Sequence, residues 1–317
     1  MRSPNKKKIL ITGAAGFVGA NLTRSLLAKN FEVHALIKKE SNLWRISDLK
    51  GRLNLHYNDL SNLAELKKTL RIINPGYIFH LASHGSYPSQ TNVNEMIGSN
   101  ILGICNLLEA SRDIPYWCFI NTGSSSEYGF KDKPMKETDV LEPASLYAAT
   151  KAAATLLCQV YAGQFNKPII SFRLFSVYGP YEEPTRLIPQ AIKAATTGQT
   201  LRLTPGKERR DFIYVEDVVH AFFCAISKQG LGGEIFNIGT GKQYTNLQVA
   251  NIIRKSSQNK LKIEIGTYEP RYWDTNFWVA DISKTKALLN WQPKYNLEEG
   301  LKKTYLWFGE NLSLYNQ

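Results

Sequence analysis

The 317-residue chain contains no run approaching the roughly 20 consecutive apolar residues that a membrane-spanning helix needs, so no membrane partner is expected. The basic opening, RSPNKKK, leads into an apolar run of only three residues (Ile9–Ile11), too short for a signal peptide, and a cytoplasmic location is expected. Cysteine is scarce: Cys105, Cys118, Cys158 and Cys224 lie far apart in apolar surroundings, with no CxxC pair. That spacing argues against a disulfide framework or a metal site and for buried free thiols. The net charge is +12, yet the lysines and arginines are scattered, without a basic helix or an RGG, zinc-finger or RNP-like pattern. No nucleic-acid partner is expected; a basic surface that attracts small phosphorylated ligands is. Repeats and low-complexity segments are also missing, and 43% hydrophobic with 21% charged residues suits one large or two coupled globular domains.

What is present is alternation. Strand-like runs at 8–12, 31–37, 77–81, 117–121 and 169–175 are separated by helical patterns at 20–29, 63–73, 96–111 and 145–164. Such alternation implies βαβ units: an α/β, doubly wound parallel sheet with helices on both faces. Beyond Tyr178 the pattern turns irregular, with prolines at 180, 184, 189, 205 and 270, and a smaller mixed C-terminal lobe is expected.

The first strand runs into TGAAGFVG at 12–19. A glycine triplet alone says little, but here it follows a strand and opens a helix. Gly13 allows the tight turn, Gly16 lets backbone approach a pyrophosphate, and Gly19 permits close helix–strand packing. With Ala15, Phe17 and Val18 they form an expected dinucleotide phosphate site, where the helix N-terminus offers free N–H groups. At the end of the second strand an NAD site usually carries an acidic residue for the ribose hydroxyls. This chain has Ile37 there, followed by Lys38 and Lys39, which would suit the 2′-phosphate of NADP(H); NAD(H) stays possible, since lysines on a solvated loop look the same. Asp59 could accept from the adenine amino group, and His80 reads as a packed strand histidine.

Tyr147 and Lys151 make a Tyr-x-x-x-Lys pair, which a helix brings to one face. A phenol with a reference pKa of about 10 is a poor base at neutral pH. An ammonium ~4 Å away contributes roughly 4 kcal/mol at an effective dielectric of about 20, enough to draw that pKa toward neutrality. Tyr147 could then exchange a proton with a sugar hydroxyl, with a nearby serine orienting the same oxygen.

Together these motifs resemble the extended short-chain dehydrogenase/reductase family acting on nucleotide sugars. The resemblance spans nearly the whole chain and also rests on HLA (80–82), Asn100, SSSEYG (124–129), RLFSVYGP (173–180), RRDFIYVED (209–217) and NIGTG (237–241). It implies a Rossmann dinucleotide-binding domain over 1–178, with a return segment near 211–240, and a nucleotide-sugar-binding lobe mainly over 179–317. It implies catalysis by Ser124, Tyr147 and Lys151, and further cofactor contacts from Leu60, Leu81, Ala82, Ser83, Asn100, Thr122 and Phe175. Substrate contacts are implied for Ser83, Ser124, Ser125, Ser126, Ser176, Arg186, Arg210 and Arg271. Arginine suits a diphosphate because its planar fork pairs bidentately. Two positions depart from the family: Arg186 and Ser176 each stand where asparagine is common. The family often dimerises through helices corresponding to 96–111 and 145–164, so a homodimer is expected.

Three reactions share the scaffold: 4-epimerisation, 4,6-dehydration and 4-keto reduction. Dehydratases add an acid to the serine turn, two residues before TyrGly. Anchored on Tyr128-Gly129, that place is Ser126; only by deleting one residue does Glu127 fall on it. The elimination acid is therefore missing in the ungapped register. The NADP-type loop then favours an NADPH-dependent reductase of a dTDP- or CDP-linked 4-keto-6-deoxyhexose, with Tyr147 as proton donor. A nucleotide-sugar 4-epimerase holding NAD is the alternative, and a non-catalytic dinucleotide sensor would be favoured by loss of Tyr147 or Lys151, both of which are present.

Overall fold

Ile9, Leu10 and Ile11 are fully buried, and this short apolar run forms the centre of the first strand of the sheet. The structure, a computed structural model, describes residues 5–87, 89–205, 208–266 and 275–315. In chain order the elements begin β1 (Asn5–Thr12), α1 (Phe17–Ala28), β2 (Glu32–Ile37), a 3₁₀ segment (Trp44–Arg52) and β3 (Asn54–Tyr57). They continue with α2 (Leu63–Ile73), β4 (Pro75–His80), α3 (Val93–Ile97), a π-helical turn (Gly98–Leu102) and α4 (Gly103–Ser111). Next come β5 (Cys118–Ser124), a 3₁₀ turn (Ser125–Tyr128), α5 (Leu146–Gln164), β6 (Ile169–Leu174), β7 (Ser176–Tyr178), α6 (Leu187–Thr197) and β8 (Thr200–Leu203). β9 (Arg209–Arg210), β10 (Phe212–Tyr214), α7 (Val215–Ile226), β11 (Ile235–Ile238), β12 (Tyr244–Thr245), α8 (Asn246–Ser256) and β13 (Lys262–Ile265) follow. α9 (Ser283–Leu289) and α10 (Leu297–Asn311) complete the α-helices among the described residues.

The chain divides into two compact units. The first comprises Met1–Gly129, Val140–Leu174 and Val219–Phe236; the second comprises Phe130–Asp139, Phe175–Val218 and Asn237–Gln317. These limits differ from 1–178 and 211–240 because the chain changes unit right after β6 and within α7. Residues 130–139 join the second unit because Met135 bridges Ala280, donating to Val279 O and accepting from Asp281 N.

The first unit is built on the sheet β11-β6-β5-β4-β1-β2-β3, with parallel registers. The order reverses at β1, which lies between β2 and β4, so the loops leaving β1 and β4 diverge to opposite sides; ligands bind at such a switch point. On one face Leu66 and Leu70 of α2, Ile104 and Leu107 of α4, and Ala154 and Cys158 of α5 form a core with Leu10, Ile78 and Phe119. On the other, Phe222 of α7 meets Phe79 of β4 and Phe172 of β6 edge-on, with ring centroids 5.3 and 5.1 Å away. Burial on both faces explains why the central strands read as apolar runs rather than alternating ones.

Among its described residues the second unit has three two-stranded sheets, β7/β10 and β8/β13 parallel and β9/β12 antiparallel. Two buried aspartates organise its loops. Asp211 accepts from the backbone N–H groups of Thr240, Gly241 and Ala280 and from the Thr240 hydroxyl. Asp217 accepts from Lys294 N and Tyr295 N ahead of α10.

Candidate active site

The turn between β1 and α1 fits a dinucleotide phosphate. Gly13 has φ +73°, and a Cβ there would lie 2.5 Å from Ala82 N; a Cβ on Gly19 would collide with the Gly13 carbonyl. Gly16 is the N-cap of α1, with no side chain capping the helix and no acidic residue in its first turn. Ala15, Gly16, Phe17 and Val18 are partly exposed on this turn. The backbone thus has room for an anion and the helix dipole to favour one.

Ile37, at the end of β2, is buried and offers no acceptor for a ribose hydroxyl. Lys38 and Lys39 are exposed, and Lys38 Nζ lies 3.3 Å from Asp59 Oδ2. Asp59 also accepts from Ser61 N, and its carboxyl is held below the usual range: burial opposes its charge, but Ser61 and Lys38 outweigh it. Leu60 is buried, its carbonyl accepting from Asn106.

β4 ends against β1. His80 Nδ1 and Thr12 Oγ1 are 2.7 Å apart, Leu81 N donates to Thr12 O, and Ala82 N donates to Thr12 Oγ1. Burial, reinforced by the Lys151 charge, pulls the His80 pKa down to about 3, so it is a neutral packed histidine. Ser83 is exposed on the following loop. Asn100 lies in the π-helical turn that interrupts the expected single helix, a distortion frequent at functional sites. It is buried, accepts from His84 N and donates to His84 O and Thr150 Oγ1, so its amide braces the loop after β4 against α5.

The serine turn closes β5. Ser124 Oγ accepts from Ser126 N, which leaves its O–H proton available to donate. Ser125 is buried and Ser126 partly exposed. Glu127 is fully buried and faces inward: Oε1 accepts from Ser124 N at 2.7 Å and Thr155 Oγ1 at 3.1 Å, and Oε2 pairs with Arg173 Nε at 2.7 Å. Arg173 is also buried, 4.5 Å over the Tyr128 ring. On α5, Tyr147, Lys151 and Thr155 follow at intervals of four and share one face. Tyr147 is partly exposed; Lys151 is buried and donates to Thr122 O. Burial pulls the Lys151 pKa down to about 8, with Glu127 opposing.

The sequence reading missed Arg173 and Thr155. A lone arginine in the buried strand IISFRL was the available signal, since a buried guanidinium needs an anionic partner.

In the second unit, Phe175 is buried and donates its N–H to Ile238 O, while Ser176 is partly exposed at the start of β7. Arg186 is the exposed N-cap residue of α6. Arg210, on β9, donates to Arg209 O and lies 5.1 Å over the Trp278 ring. Arg271 lies outside the described residues. Among the described residues all four cysteines are free, no acidic, histidine or cysteine cluster could hold a metal ion, and no helix is long and apolar enough to cross a membrane.

The model of the family described as NAD dependent epimerase/dehydratase matches residues 9–239. The chain is 32% identical to UDP-glucuronate 4-epimerase of Thermodesulfobacterium geofontis (strain OPF15), covering 96% of this chain and 97% of the relative. It is 29% identical to dTDP-glucose 4,6-dehydratase of Neisseria gonorrhoeae, covering 98% of each. A solved structure of UDP-glucuronic acid 4-epimerase from Bacillus cereus, in complex with UDP-glucuronic acid and NAD, matches with TM-score 0.85 at 29% identity, over 96% of this chain and 99% of that one.

Proposed function

The chain belongs to the NAD-dependent epimerase/dehydratase family, and from that premise we propose that it is a nucleotide-sugar 4-epimerase acting on a UDP-linked hexose or hexuronate. The reductase expectation gives way, because the relatives described above are 4-epimerases and a dehydratase. The observation that carries the choice between those two is Glu127. Its carboxylate is sealed in an ion pair with Arg173, and in the ungapped register Ser126 stands where an elimination acid is expected; both support epimerisation over dehydration.

Bound in the Gly13–Gly19 turn, NAD would supply reversible hydride transfer at the sugar C4. Tyr147 would take the proton of the 4-hydroxyl and return it, Lys151 would keep the phenol acidic, and the Ser124 hydroxyl would orient the reacting oxygen. Arg210, Arg186 and Arg271 are the proposed diphosphate contacts, with Ser83, Ser125, Ser126 and Ser176 toward the sugar. Asn100 acts on the cofactor through the loop it braces. A cytoplasmic setting is part of this proposal, and the four free thiols are in keeping with it. A homodimer is supported by exposed apolar side chains at Val93, Ile97 and Leu102 and, on α5, Leu146, Leu156 and Val160.

Incubation with UDP-glucuronic acid or UDP-glucose should yield the C4 epimer without net consumption of dinucleotide, and Tyr147→Phe should abolish turnover while leaving dinucleotide binding intact. One observation favours the 4-ketoreductase as a second reading: Ile37 followed by exposed Lys38 and Lys39. Under it, NADPH would be consumed stoichiometrically with a 4-keto-6-deoxy nucleotide sugar, and replacing both lysines would weaken NADPH far more than NADH.

A further inference from the structure

Glu127 has no place in the proton transfers above, yet it is fully buried beside them. Two of its three partners, Ser124 N–H and Arg173 Nε–H, can only donate, and the third, the Thr155 hydroxyl, donates as well. Burial pushes the Glu127 carboxyl up, while the Arg173 guanidinium, the Ser124 N–H and the Lys151 charge oppose that; with one oxygen paired to a cation and the other accepting two bonds, its partners favour the carboxylate form. Those donors come from three elements: the serine turn, α5 and β6. We propose that Glu127 is a positioning residue, whose carboxylate, anchored on Arg173, holds the Ser124 turn in register with the helix that carries Tyr147 and Lys151. The proposal rests on the reading of Ser124, Tyr147 and Lys151 as the catalytic group.

Charge supports the geometry. The ionisable groups coupled to Lys151 are Glu127 from the serine turn, His80 from β4 and Cys158 from α5, with Arg173 of β6 behind Glu127 and Tyr147 one turn earlier on α5. His80 is neutral, and burial pushes the Cys158 thiol up, which leaves Glu127 as the anion among them. Without it, Lys151 loses its proton at lower pH.

The test separates positioning from stability. Glu127→Gln strands a buried guanidinium and should lower the melting temperature. The double variant Glu127→Met/Arg173→Met replaces the pair with apolar side chains of similar length and should regain most of that loss. It should still bind NAD, yet show kcat reduced about 100-fold with KM little changed, the penalty for a misplaced catalytic group. Its alkaline limb of kcat should move to lower pH. A double variant with wild-type melting temperature, kcat and pH profile overturns the proposal. A second arm needs no substrate: ¹³Cε-lysine NMR, assigned with Lys151→Met, follows the Lys151 titration in Glu127→Gln and Arg173→Lys. Titration at lower pH in Glu127→Gln, with Arg173→Lys like wild type, supports the proposal; an unmoved titration in Glu127→Gln contradicts it. A wild-type protein that epimerises no nucleotide sugar would count against the proposed reaction, while this arm still decides the role of Glu127.

Discussion

The buried ammonium of Lys151 donates to the carbonyl of Thr122, tying the second turn of α5 to β5 just ahead of the serine turn. The lysine is held charged at neutral pH although burial pulls its pKa from 10.5 to about 8. A depressed lysine pKa means that the native state sheds this proton before the unfolded state does. Between about 8 and 10.5 the unfolded chain binds more protons, so this group makes stability rise with pH, by roughly 3 kcal/mol at most. Activity should move the other way, falling above pH 8 as the phenol loses its neighbouring charge. Urea unfolding and kcat followed over the same pH range check both, and Lys151→Met should remove the rise in stability.

Gly19→Ala should abolish dinucleotide binding with a smaller effect on the rest of the fold. The added methyl would meet the Gly13 carbonyl and the Ala14 Cα, so α1 must back away from the turn that receives the phosphates. Gly13→Ala should be worse, because φ +73° is strained for alanine by about 1 kcal/mol or more and its Cβ also strikes Ala82 N. Titration of each purified variant with NAD measures the loss.

Asp211→Asn should cost the fold about 2–5 kcal/mol, because the amide nitrogen faces N–H groups that then lack an acceptor. Each oxygen of Asp211 accepts two bonds, one pair from Thr240 and the other from Gly241 and Ala280. Denaturant unfolding of wild type and variant reads the difference.

Leu156→Glu together with Val160→Glu should convert a homodimer to monomer, since both side chains are about half exposed on α5 and neither belongs to the core of its own chain. Sedimentation velocity across a concentration series checks it, with unchanged melting of the monomer as control.

Much of the sheet was legible because buried parallel strands are written as short apolar runs between helical patterns. β3 was not: Asn54–Tyr57 is a four-residue edge strand with partly exposed positions, so neither an apolar run nor alternation marks it. The helix expected over 96–111 exists, but begins at Val93 and contains a π-turn around Asn100, which periodicity cannot register. The serine turn shows the limit most clearly. Its motif put Glu127 one place after the expected elimination acid, while the partners of its carboxylate include Thr155 and Arg173, 28 and 46 residues away. Tertiary pairing at that distance leaves no local pattern. Lys38 was read as suited to a 2′-phosphate or lying on a solvated loop, while the fold sets it beside Asp59.

Purified protein, with no added dinucleotide, should be mixed with UDP-glucuronic acid and separately with UDP-glucose, and the sugar anomeric signals followed by NMR. Drift to a constant mixture of the two C4 epimers is expected, with NAD released on denaturing the protein. Appearance of a 4-keto-6-deoxy sugar, or turnover only when NADPH is supplied and consumed, would contradict it.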